Sequence, residues 1–259
     1  MKKLWRMGTI FMAILICSEN PASALNFFEL EVYPYDTASQ GEVEVESLNS
    51  YVINGEREAD PGKVPSHHLW RTSIEGVYGI TDHLEAAAYL DLALTADGKF
   101  DYAGWRFRGR YRFFEKDQIP INLGLYAEME FPNNRFSDND VELELRLILE
   151  KTFGPLTIDL NPIFEKSLDG DGASVGVELQ YAAKGSFHFR PWLMPGVEFF
   201  GDFGPLTHFE PSSEQKHFIF PVVDSKLSRN IKLNTGVGFG LTSASDSVLV
   251  KLNLEYEFY

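Results

Sequence analysis

The feature that most constrains this chain is a period of two, held over stretches too long for an ordinary sheet. In 247–258, Val248, Val250, Leu252, Leu254, Tyr256 and Phe258 share one face, and Leu249, Lys251, Asn253, Glu255 and Glu257 share the other. Successive side chains of a strand point to opposite faces, so this pattern is a strand and not a helix. In 140–151, Val141, Leu143, Leu145, Leu147 and Leu149 alternate with Glu142, Glu144, Arg146, Ile148 and Glu150. In 104–114, Trp105, Phe107, Tyr111 and Phe113 oppose Arg106, Arg108, Arg110 and Arg112. Strands are predicted over 42–53, 67–79, 83–95, 103–114, 119–131, 140–152, 155–166, 173–184, 189–200, 215–224, 231–241 and 247–258. A tilted strand needs ~9–11 residues to cross a bilayer, whereas globular strands average ~5–6. The predicted fold class is therefore all-β: an antiparallel transmembrane β-barrel of about 12 strands, of the outer-membrane type.

The gaps between these strands alternate long and short except in the final pair, as expected of short periplasmic turns and longer outside loops. An even strand count puts both ends of the barrel in the periplasm, so 54–66 and 201–214, the longest gaps, are expected outside. Turn residues fall in the gaps: Asp97-Gly98, Pro132-Asn133-Asn134, Gly154-Pro155 and Asp169-Gly170-Asp171-Gly172. A mean hydropathy of −0.18 argues against a helical membrane bundle, but not against a barrel, where only every second strand residue faces lipid. The net charge of −15, without lysine or arginine blocks, speaks against nucleic acid as a partner.

Residues 1–24 read as a signal peptide. Lys2, Lys3 and Arg6 precede the apolar stretch Gly8 to Cys17, and Ala22-Ser23-Ala24 is a small-x-small cleavage pattern. Cys17 is the one cysteine, so cleavage near Ala24 leaves a chain that needs no oxidative folding. Residues 25–41 alternate briefly and then meet Pro34. They are expected to form a periplasmic or lumen-lying lead-in, with 42–259 as the barrel. The chain closes on Phe258-Tyr259, like the aromatic last strand that the barrel assembly machinery reads in outer-membrane proteins, although Tyr259 lies one residue beyond the alternating series. The expected localisation is the bacterial outer membrane, with lipid, the assembly machinery and a small-molecule solute as partners.

Glu44 to Tyr51 (EVESLNSY), His67-His68-Leu69-Trp70 and Tyr78 to Glu85 (YGITDHLE) together resemble a family of outer-membrane proteins named for the MetA pathway of phenol degradation. The last piece matches that family's strand–turn–strand element. The pieces cover about the first third of the chain after the signal. The resemblance implies an outer-membrane transporter barrel that moves small hydrophobic or aromatic compounds. It brings no catalytic residue with it.

The candidate lumen-lining residues centre on Arg106, Arg108, Arg110 and Arg112. An arginine facing lipid at mid-bilayer costs about 2–4 kcal/mol, so this face must point inward. Alternation sets Glu85, Tyr89 and Asp91 inward on the preceding strand, and Asn122, Tyr126, Glu128 and Glu130 on the next. Glu142, Glu144 and Arg146 follow on the one after. Two readings stand: a transverse field that orients a polar solute, or structural ion pairs filling a narrow lumen. Further inward carboxylates at Glu150, Asp159, Glu165, Glu178, Glu198, Glu255 and Glu257 would favour cations in an open pore. Asp169 to Gly172 lacks the full ligand set of a calcium loop and reads as a turn. His67 and His68, adjacent on a predicted strand, would point to opposite faces, so no metal site is expected. Without Gly-x-Ser-x-Gly, or a Ser–His pair that alternation brings together, no catalytic residue and no cofactor are expected. The chain reads as a passive channel or transporter for small molecules. A structural or interaction barrel with a plugged lumen and an outer-membrane hydrolase are the alternatives.

Overall fold

The computed structural model describes residues 27–258; the signal segment 1–24, its cleavage position and Tyr259 lie outside them. Twelve strands follow in order: β1 Val43–Asn54, β2 Trp70–Thr81, β3 Leu84–Leu94, β4 Phe100–Arg112, β5 Asn122–Pro132, β6 Asn139–Phe153, β7 Leu156–Gly170, β8 Val177–Phe187, β9 Leu193–Pro205, β10 Lys216–Lys226, β11 Ile231–Gly240 and β12 Val248–Phe258. Each pairs antiparallel with its sequence neighbours, and β1 also pairs with β12, with Val43 opposite Phe258. The sheet therefore closes into a barrel, one of the two architectures that satisfy every backbone polar group in lipid. No helix among the described residues is long and apolar enough to cross a membrane.

Alternation becomes a two-faced wall. On β4, Trp105, Phe107 and Tyr111 are exposed while Arg106, Arg108 and Arg110 are buried. On β12, Leu252, Leu254, Tyr256 and Phe258 are exposed while Lys251 and Glu257 are buried. Exposed rings and aliphatic groups in that regular phase form a lipid-facing band.

The strand edges depart from the expectation where local geometry interrupts the ladder. β2 begins at Trp70 rather than 67, because His68 takes a left-handed conformation (φ 59°) in the preceding turn. His67 and His68 thus share a turn with their rings 4.0 Å apart, instead of flanking a strand. β8 starts at Val177 because Asp171–Ser174 forms a 3-10 turn. β9 starts at Leu193 because Arg190 and Leu193 bond to each other across a turn. The 113–121 connection is longer than its predicted gap: the Tyr35 hydroxyl accepts from the Phe114 N–H at 3.0 Å and donates to its carbonyl at 2.5 Å, where β4 would otherwise run on.

Candidate functional site

Residues 27–42 form an extended strap that touches the wall on all sides, which only a segment inside the barrel can do. The Phe27 and Phe28 carbonyls accept from Ser50 of β1 and Ser73 of β2. The Tyr33 N–H donates to Asn161 of β7 (2.8 Å), and its hydroxyl meets that of Tyr89 of β3 (2.8 Å). The Tyr35 N–H donates to Glu150 of β6, and the Ala38 N–H to Glu85 of β3. The strap leaves the lumen where Gly41 N–H donates to the Gly79 carbonyl and Gly79 N–H to that of Glu42.

The strap has two faces because the lumen does. Toward β3–β6 it presents Glu29 and Tyr33 to the arginines. Arg106 binds Glu29 in a very close pair, Asp91 at 3.0 Å and Glu128 at 3.0 Å, and its guanidinium lies 3.9 Å from the Tyr89 ring centre. Arg108 pairs with Glu75 at 2.5 Å and closely with Glu85, which also takes Arg110 at 2.9 Å. Arg146 bridges Glu144 at 2.8 Å and Glu29 at 3.1 Å. The Tyr33 ring lies about 5 Å from the guanidinium groups of Arg108, Arg110 and Arg146. Arg106 is 1% exposed. Burying such a charge is tolerated only when it is paired and hydrogen-bonded, and every guanidinium here is.

The remaining candidates lie around this cluster. Glu130, buried, is opposite Arg106 in register, and Glu142 is bound by Asn139. Arg112 sits at the rim, where it donates to Glu115 at 2.9 Å and to the Asp82 carbonyl at 2.6 Å. In that outer turn, hydrogen bonding and the charge of Arg112 hold the Glu115 carboxyl below its ordinary range. Lys116 is half-buried, which works against its charge, but hydrogen bonds to Asp36 and Glu150 lift it above its ordinary range. Glu29, Tyr33 and Glu75 complete the cluster and carry no sequence signal of their own. Glu29 and Tyr33 belong to the lead-in, and Glu75 is an isolated acid on an otherwise weakly polar strand.

Toward β7–β12 the strap is apolar. Leu30 and Val32 pack with Phe200, Phe218, Phe220, Val222 and Leu249 in a buried layer. Beneath it Glu198 binds Lys184 at 3.2 Å and Lys251 more closely, and Lys251 also donates to the Leu30 carbonyl. A cavity of about 430 Å³ lies at the end that holds both barrel termini, lined by Val32, Lys184, Glu198, Lys251 and Asn253. A second of about 220 Å³ lies at the opposite end, lined by Phe27, Phe28, Leu69, Arg71 and Lys216. No residue lines both.

Together these features define a class: a closed twelve-stranded barrel of outer-membrane type whose lumen is crossed by its own N-terminal segment. No protein-family model matches the chain, and no curated protein matches its sequence. Solved structures do. An outer-membrane channel from Pseudomonas putida F1 superposes with a TM-score of 0.59 at 14% identity, covering 89% of this chain and all of that one. The NanC porin gives 0.53 at 9% identity, with 84% of this chain and 99% of that one covered. The KdgM porin, solved in complex with oligogalacturonate, gives 0.52 at 10% identity over the same shares. At such identities the likeness is one of fold.

Proposed function

We propose that this chain is an outer-membrane channel for small molecules, in which the strap separates two vestibules and must shift for a solute to pass. The observation that carries the reading is the pair of cavities at opposite ends of a closed barrel, divided by the Leu30–Val32 layer and the arginine cluster. The strap is held largely by side-chain contacts and not by ladder pairing, so it can move without opening the wall. The solved barrels of this shape, a channel and two porins, are consistent with that role. The signal-like segment 1–24 and the aromatic last strand support delivery to the outer membrane through the assembly machinery. No catalytic residue or cofactor enters this reading.

The reading extends to small solutes that carry both a ring and a polar group, because the 220 Å³ cavity sets Phe27 and Phe28 among charged residues that include Arg71, Asp91, Arg106 and Glu130. Phe27 and Phe28 offer ring faces there, Leu69 and Val64 add apolar wall, and the Arg71 guanidinium lies 5.1 Å from the Phe27 ring with one buried N–H group lacking an acceptor.

Planar-bilayer recording tests the channel. The refolded chain should give small, intermittent currents, and weakening the strap by Glu29→Gln with Tyr33→Ala should raise open probability several-fold. A second reading, a structural barrel with a permanent plug, is favoured by the same buried ion pairs. Silence in both proteins would establish it and end the channel proposal.

A further inference from the structure

Three carboxylates from the strap and the wall converge near the terminal-end vestibules. Glu46 of β1 and Glu75 of β2 are directly opposite in register, an arrangement of like charges that destabilises a sheet. Glu31 of the strap joins them, and one oxygen from each of the three lies within 4.8 Å of the others. Arg108 occupies Glu75 Oε1 at 2.8 and 2.5 Å. The Oε2 atoms of Glu75 and Glu31 are buried without a donor. The Glu46 side chain is nine-tenths buried, and its carboxylate makes no hydrogen bond or ion pair among the described residues.

Hard divalent cations are held by carboxylate oxygens at ~2.3–2.6 Å in adaptable geometry. Oxygens no more than 4.8 Å apart therefore fit around one ion. We propose that Glu31, Glu46 and Glu75 bind a divalent cation of the calcium type, which ties the strap to β1 and β2. The ion supplies what Arg108 does not: positive charge shared by all three groups. Its route is open, because Glu31 and Glu46 both line the 430 Å³ cavity and the neighbouring one of about 740 Å³. The inference does not depend on whether the lumen conducts.

A second triad, Glu130, Glu144 and Glu165, is also close-set. There Arg146 holds Glu144 and Gln180 holds one oxygen of Glu165, whose other oxygen is buried without a donor. It serves as the internal comparison. The refolded full chain in detergent micelles, stripped of metal by chelation, is titrated with CaCl2 at neutral pH by calorimetry. The expected result is a single bound Ca²⁺, with affinity reduced about tenfold or more in both Glu46→Gln and Glu31→Gln and unchanged in Glu165→Gln. Glu31→Gln leaves the wall intact and keeps the test readable if Glu46→Gln fails to refold. Absence of binding, or affinity unchanged by Glu31→Gln, overturns the proposal. A loss confined to Glu165→Gln places the ion in the other triad and overturns it equally.

Discussion

At the scale of single residues, Arg106 concentrates the electrostatics of the lumen. It is nearly inaccessible to solvent and binds carboxylates from the strap, β3 and β5 at once. Removing one side of a buried charge pair costs about 3–5 kcal/mol, because the other side is left uncompensated. Arg106→Ala should therefore lower the urea midpoint of the refolded barrel markedly, and Arg106→Lys should restore part of the loss. The middle of the ladder separates the two readings of these arginines. Arg108 and Arg110 share Glu85, so neutralising both should reduce stability and leave the ion selectivity of any current unchanged. A selectivity change in reversal-potential measurements without a stability loss would show instead that they border a solvated path. At the rim, Glu115 is held below its ordinary range. Its pairing is present above the unfolded-state value and lost as pH falls through the lower folded one. The carboxyl resonance should titrate below that of an unstructured glutamate, and Arg112→Gln should move it back up.

At the scale of elements, the strap is the part whose contacts its own pattern reveals least. Its alternation, with Glu29 and Tyr33 against Leu30 and Val32, has the period of a strand. It matches the two sides of a lumen instead: ionic toward β3–β6 and apolar toward β7–β12. The exit of the strap is a close backbone approach, since a Cβ on Gly79 would fall 1.9 Å from the Ser39 carbonyl oxygen. Gly79→Ala must push the 39–42 turn outward, at a cost of about 1–3 kcal/mol typical of overpacking. Gly76, on the same strand, has open space at its Cβ position. Urea titration should show a lowered midpoint for Gly79→Ala and little change for Gly76→Ala. Equal effects would mean that the turn yields freely.

At the scale of the whole molecule, closure and strand parity place both barrel termini at one end. The connections 55–69 and 206–215 lie together at the other. Epitope tags placed in these two connections should be reached by antibody on intact cells, and a tag in 227–230 only after the outer membrane is broken. The opposite pattern would reverse the orientation in the membrane.

The wall was legible in the order of residues alone. Period two over stretches of bilayer-spanning length leaves few solutions: the strands must lie in a sheet, and a sheet in lipid must close. On β4, β5, β6 and β12, where one face is apolar and the other largely charged, the inward residues are legible individually, including Arg106, Arg108, Arg110, Glu128 and Glu144. On β10 they were not. Phe218, Phe220 and Val222 point inward while Ile219 and Val223 share the outer face, so alternation carries little contrast there. What fills the barrel follows from packing across the lumen. Whether Arg106 meets water or Glu29, and whether Glu31 comes within reach of Glu46 and Glu75, depends on where a segment without ladder partners comes to rest. Hydrophobic periodicity reports which way a side chain faces, and is silent on what stands opposite it across an enclosed space.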